Sequence, residues 1–189
     1  MSAVASEIQR KKIHPHKFTL WVAIGSIIMM FAGLTSAYIV KREQPNWISF
    51  EMPRLFWYST AVMLFSSLSI QLALKSFKDR EMSRYRGLIV VTLLLGAVFI
   101  AMQWIGFQQI WNSGVTLKGS GAAQFLYIIF GLHALHVLGG IVVLMFMFLK
   151  AFNRKYRSYS PVPVEIAATY WHFVDLLWVY LFVFFLWIQ

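Results

Sequence analysis

Residues 170–189 read YWHFVDLLWVYLFVFFLWIQ, and this stretch decides the fold class. Nearly all of it is apolar, and a helix needs about 20 such residues to cross the hydrocarbon of a membrane. Two ionisable side chains interrupt the run, His172 and Asp175. Because an ionisable group in lipid is costly, we expect both to face the inside of a helix bundle.

The composition of the whole chain agrees with a membrane protein. Of its 189 residues, 59% are hydrophobic and only 13% are charged, which is far too apolar for a soluble domain of this size. The chain has no cysteine, which excludes disulfides, thiolate metal ligands and thiol catalysis.

Five apolar stretches are long enough to span a membrane, and the segments between them are short and polar. The sequence therefore predicts an all-α, polytopic membrane helix bundle with five transmembrane helices. We expect a basic cytoplasmic tail over residues 1–17 and a single membrane domain over 18–189. The predicted spans are 18–40, 55–77, 87–111, 123–149 and 164–188.

The positions of the basic residues predict the orientation of the bundle. The N-terminal tail, the second loop and the fourth loop hold thirteen of the seventeen Lys and Arg residues, and five spans place these three regions on one side. Basic loops stay in the cytoplasm, so the N-terminus is predicted inside and the C-terminus outside. The net charge of +10 then reflects topology and anionic lipid headgroups. No basic region forms a domain that could bind nucleic acid.

The ionisable residues at membrane depth form a short set: His133, His136, Glu165, His172 and Asp175. Asp175 lies ten residues beyond Glu165, so about 15 Å deeper along its helix. The last two spans are joined by a short loop and should be antiparallel neighbours. We therefore expect His136 and Asp175 to meet and form a carboxylate–imidazole hydrogen bond.

Three interpretations compete for this interior polar network. Two histidines on one helix could ligate haem or a metal, but ligands from facing helices are few. A proton path or transporter site is the second, although no span is visibly broken by Gly or Pro at mid-depth. The third is a hydrogen-bonded clasp that fixes how the last two spans pack, and residue chemistry favours it.

Several motifs resemble one membrane protein family. The stretch YWHFVDLLWVYLFV at 170–183 is similar to the last helix of subunit III of the haem-copper oxidases, the cytochrome c oxidase subunit III family. Glu165, five residues before that stretch, is also typical of the family. The preceding helix of the family resembles GLHALHVLGG at 131–140, and earlier helices resemble FAGLTSAYIV at 31–40 and LLLGAVFIAMQ at 93–103. The number of spans suggests the five-helix bacterial form.

The chain departs from the family pattern at two places. Ile27 stands where members usually carry a Glu after the Ser of the first shared helix. Gly106 and Phe107 stand where members often carry Glu-Tyr after the helix glutamine. Roles that depend on those glutamates therefore cannot be transferred to this chain.

The resemblance implies an accessory subunit rather than a catalyst. Subunit III of this family binds no haem or copper, so no catalytic, cofactor-binding or metal residue is expected here. It packs on the catalytic subunit I, which with subunit II reduces O₂ to water and pumps protons, and it holds phospholipids and supports proton uptake. Haem and copper are expected in those partner subunits, in a bacterial cytoplasmic membrane, with a larger respiratory supercomplex also possible.

Basic residues at the inner end of the fourth span match the family's lipid-headgroup contacts: Lys150, Arg154 and Lys155. A plain topology signal explains them equally well. Other functions stay open on the sequence alone: subunit III of a quinol oxidase, the homologous accessory protein of nitric oxide reductase, a small cytochrome b-like haem protein or a transporter.

Overall fold

The computed structural model describes residues 15–42, 52–114, 121–152 and 160–188. These residues form five helices, each long and apolar enough to cross a membrane. The helices cover the five predicted stretches and extend them by one to five residues at most ends. They are α1 (Pro15–Arg42), α2 (Leu55–Lys78), α3 (Met82–Asn112), α4 (Gly121–Phe152) and α5 (Val162–Ile188).

The helices end where the local chemistry requires it. A tight link joins α2 to α3: Asp79 donates its backbone N–H to Lys75 O at 2.9 Å, and Arg80 takes a left-handed φ of 61° that turns the chain. Gly114, with a φ of 94°, follows α3 and takes a conformation that other residues adopt rarely. Pro163 lies in the first turn of α5, where a missing N–H costs nothing.

The helix pair α2–α3 is held by small polar residues. Ser59, Ser66, Ser69 and Ser76 are all buried on one face of α2. Ser69 donates to Leu88 O at 3.1 Å and accepts from Thr92 Oγ1 at 3.1 Å. Between membrane helices, close approach and hydrogen bonds replace the hydrophobic effect as the source of association.

Helix α5 lies at the centre of the bundle. Its backbone runs close to those of α1, α2 and α4, whereas the backbones of α1 and α2 do not approach each other within the described parts of the chain. The largest fully buried side chains include Trp171 and Trp178, two turns apart on α5. The core is therefore built around the buried face of α5.

Trp171 fits into a slot between α3 and α4. A Cβ placed on Gly140 would lie 2.9 Å from the indole, and one placed on Gly96 would lie 3.0 Å from it. The indole Nε1 also donates to Ser66 Oγ on α2 at 3.1 Å. One side chain of α5 thus contacts three other helices, and two glycines make the space for it.

We predict that Gly140→Ala destabilises the bundle, because the added methyl forces the Trp171 ring to move. Overpacking of this kind costs typically about 1–3 kcal/mol, more than the roughly 0.5–1 kcal/mol that Ala gains over Gly in a helix. The measurement is thermal unfolding in a mild detergent. The matched control is Gly139→Ala, whose Cβ would meet nothing closer than Tyr170 OH at 3.7 Å. Equal melting temperatures for the two variants would contradict the slot.

Candidate functional site

Glu165 lies in the first turn of α5 and joins three helices by ion pairs. Its Oε2 is 2.6 Å from Lys17 Nζ on α1, and its Oε1 is 2.8 Å from Lys78 Nζ on α2. The backbones of α1 and α2 stay apart in the described residues, so this carboxylate joins two helices that are not direct neighbours, at one end of the bundle. The lysine side chains are 40% and 50% exposed, so solvent weakens each pair.

His172 lies two turns further along α5, and both of its ring nitrogens pair with side chains of α2. Ser67 Oγ is 2.6 Å from its Nδ1, and Gln71 Oε1 is 3.1 Å from its Nε2. Gln71 is exposed and His172 is half-buried on the outer surface of the bundle. These three residues form a polar patch at membrane depth, which we call the α2–α5 patch.

Asp175 is buried one turn beyond His172, with 3% of its surface exposed. The Ser67 hydroxyl lies within interaction range of the carboxylate. Neither carboxylate oxygen has a hydrogen-bond partner among the described residues. Asp175 is therefore a buried carboxyl group that the described part of the chain leaves without a hydrogen bond.

The predicted hydrogen bond between His136 and Asp175 is wrong. His136 Nδ1 pairs with Leu132 O of its own helix at 2.7 Å, and its backbone carbonyl accepts from Tyr170 OH at 3.0 Å. The two helices do pack against each other. However, α5 presents Tyr170 to α4, whereas it presents His172 to α2, and Asp175 lies on the α2 side.

His133 lies one turn before His136 on α4, and both imidazole rings pack against Phe31. It is 98% buried, with Phe31, Phe99 and Trp178 packed against its ring at centroid distances of 6.5, 6.4 and 5.3 Å. Neither ring nitrogen has a hydrogen-bond partner within the described ranges. The five predicted residues are thus not one network but separate sites: an ion triad, the α2–α5 patch, and three further buried or half-buried positions.

The two departures from the family pattern, at Ile27 and at Gly106, both lie where apolar side chains pack. A Cβ on Gly106 would lie 2.9 Å from the Phe56 ring, so Phe56 occupies the space that a side chain at 106 would need. Ile27 packs against the aromatic core. Neither position offers a polar group.

The remaining predicted residues lie at the end of α4 or beyond it. Lys150 is exposed in the last turn of α4. Arg154 and Lys155 lie outside the described residues. Among the described side chains, no group of three or more His, Asp or Glu lies close enough to hold a metal ion.

Sequence reasoning missed the residues that hold the helices together most closely. Trp171 and Trp178 both donate from the indole to hydroxyls of α2, Ser66 and Thr60, at 3.1 and 3.0 Å. The spacing of seven residues between the two tryptophans was a usable signal that they share one face of α5. Lys17 and Lys78 belong to the basic residues whose positions predicted the orientation, and their ion pairs with Glu165 were not predicted.

The fold and these sites define a small polytopic membrane protein in which several polar side chains bridge helices. A family model described as cytochrome c oxidase subunit III matches residues 16–189. The chain belongs to this family.

Curated relatives agree with this assignment. A probable cytochrome c oxidase subunit 3 of Nocardia farcinica is 30% identical over 183 residues, covering 91% of this chain and 90% of the relative. Cytochrome c oxidase subunit 3 of Bacillus sp. PS3 is 27% identical over 167 residues, covering 86% and 80%. The Bacillus subtilis protein of the same name is 26% identical over 168 residues, covering 86% and 81%.

We predict that Glu165→Gln weakens the bundle modestly, because it removes both ion pairs while keeping the shape of the side chain. Partly exposed pairs contribute about 0.2–1 kcal/mol each, so the loss should be of order 1 kcal/mol and shrink as salt is raised. The measurement is thermal unfolding of Glu165→Gln, Lys78→Met and the double variant at two salt concentrations. Additive effects of the two changes would show that the Glu165–Lys78 pair contributes nothing.

Proposed function

We propose that this chain is the non-catalytic subunit III of a bacterial cytochrome c oxidase, embedded in the cytoplasmic membrane. Its role is to pack on the catalytic subunit and keep the complex stable during O₂ reduction and proton pumping. Family membership supports this role, and the relatives' names favour cytochrome c over quinol as electron donor. Haem and copper belong to the partner subunits in this proposal.

The observation that carries the proposal is the α2–α5 patch. Gln71 lies seven residues before Lys78, and His172 lies seven residues after Glu165, so both are about 10 Å from the ion triad along their helices. A glutamine exposed at that depth presents amide donors to the hydrocarbon, which contains no acceptor. Polar groups inside the membrane face protein or water rather than lipid.

The partner surface that fits the patch is a transmembrane helix with a hydrogen-bond acceptor at the same depth. Gln71 Oε1 accepts from His172 Nε2, which leaves the amide nitrogen of Gln71 to a partner. The catalytic subunit of the oxidase is the occupant we propose.

We predict that Gln71→Leu reduces the amount of catalytic subunit that stays bound to the tagged chain as detergent is increased. The side chain is exposed in the chain alone, so the melting temperature of the isolated variant should change little. Gln109→Leu, which changes an exposed glutamine of α3, is the matched control. Equal retention of the catalytic subunit by both variants would argue against docking through this patch.

The orientation of the bundle is also proposed, with the N-terminus in the cytoplasm and the C-terminus outside. The chain has no cysteine, so single cysteines can report it without background. A cysteine at the exposed Asp79, between α2 and α3, should react with an impermeant maleimide only from the cytoplasmic side. One at the exposed Ser113 should react only from the outer side, and the reverse pattern would invert the topology.

Lipid binding and support of proton uptake complete the proposed role. Lys150 is exposed at the end of α4 that the proposed topology puts at the cytoplasmic face, where it can contact anionic headgroups. Glu165 supplies a carboxylate at the same face, beside two lysines. Support for proton uptake rests on the family assignment and on this location.

A further inference from the structure

A cavity of about 100 Å³ lies between α3, α4 and α5. Its lining includes two polar side chains, His133 and Gln103, and is otherwise apolar and largely aromatic. By helix rise, His133 is about 18 Å from the start of α4, and Gln103 about 14 Å from the end of α3. The cavity is therefore well inside the membrane, away from both ends of these helices.

Three of the four polar atoms of these side chains are buried without a hydrogen-bond partner among the described residues: Gln103 Oε1, His133 Nδ1 and His133 Nε2. Gln103 is 93% buried and His133 98%. Buried polar atoms without partners are rare in folded proteins, and each calls for a ligand, a water or a function.

The orientation of the Gln103 amide follows from its neighbours. Ser59 Oγ donates to Phe56 O at 2.9 Å, so it can only accept from Gln103. The amide nitrogen Nε2 therefore points to Ser59, at 3.0 Å, and Oε1 is the free end. The cavity thus holds one fixed acceptor from Gln103.

The imidazole of His133 adds complementary atoms. A neutral imidazole carries one N–H donor and one acceptor nitrogen. Together with Gln103 Oε1, the cavity offers one donor and two acceptors. A hydroxyl group matches this set, because its oxygen accepts from an N–H while its proton is donated to an acceptor.

The size and opening of the cavity limit what can carry that hydroxyl. One water molecule needs roughly 10–15 Å³ of such space, so several fit. Trp104, which is 68% exposed, forms part of the lining, so the cavity reaches the outer surface of the bundle. The hydroxyl can therefore come from water or from the head of a small amphiphile entering beside Trp104.

We propose that the cavity between α3, α4 and α5 is a hydroxyl-binding site, in which His133 and Gln103 hold the O–H group of a bound water or of an amphiphile. If an amphiphile is bound, the aromatic lining contacts its apolar part. If water is bound, the apolar remainder of the cavity stays empty. The proposal concerns this chain alone and is independent of any docking at the α2–α5 patch.

The test is solid-state NMR of the full chain in bilayers, with ¹⁵N-labelled histidine. The chain has only five histidines, and His133→Asn identifies the signals of His133. Polarisation is transferred to its ring nitrogens either from water, with deuterated lipids, or from protonated amphiphiles, in D₂O. We expect transfer from one of these sources and nitrogen shifts typical of a hydrogen-bonded imidazole.

Transfer from water identifies a hydration site, and transfer from the amphiphile alone identifies a lipid-derived hydroxyl; both support the proposal. Gln103→Leu should then lose most of the transfer, whereas Gln108→Leu, an exposed glutamine on the same helix, should keep it. A wild-type His133 ring that receives no transfer from either source and has the shifts of a free imidazole would overturn the site. That result does not depend on how the variants fold.

Discussion

The fit of Trp171 between Gly96 and Gly140 is the contact on which the packing of this bundle depends. Lipid tails are as apolar as leucine, so membrane helices gain little by burying apolar area against one another. Shape and hydrogen bonds have to select the arrangement instead. Trp171 supplies both, because its ring fills a gap that only glycine leaves open and its indole N–H reaches Ser66 on a third helix.

The same logic extends along α5. Two turns later, Trp178 repeats the indole–hydroxyl bond with Thr60 and stacks on Phe56, with ring centroids 6.0 Å apart. Phe56 in turn occupies the space beside Gly106. The absence of a side chain at 106 and the aromatic core are therefore parts of one packing arrangement, in which the rings of Phe56 and Trp178 fill the space beside that glycine.

The sequence was sufficient for the helices and insufficient for their rotation. A long apolar stretch in a membrane has to form a helix, because its backbone hydrogen bonds must be made within the segment. The five helices could therefore be predicted to within a few residues. Which face of each helix meets which neighbour depends on small differences in packing. The predicted pairing of His136 with Asp175 was wrong for that reason. The two residues were placed at similar depths, but Asp175 lies on the side of α5 that faces α2, whereas His136 belongs to α4.

Other parts of the sites were within reach of sequence reasoning. The predicted topology already put Lys17, Lys78 and Glu165 at the same membrane face, so their ion triad could have been anticipated from opposite charges at one level. The buried pair of His133 and Gln103 could not, because nothing in either motif shows that both line one cavity. Paired polar groups here hold helices together, whereas His133, Gln103 and Asp175 carry buried polar atoms that have no hydrogen-bond partner among the described residues.

The most direct test of the proposed role is purification of the tagged wild-type chain from its native membrane in a mild detergent. A reduced-minus-oxidised spectrum and mass identification of the bound proteins would follow. An accessory subunit III should bring a haem-containing catalytic subunit with it in a fixed ratio, and the haem spectrum should be that of an oxidase. A chain that purifies without haem or oxidase subunits, from membranes that contain an active oxidase, would contradict the role proposed here.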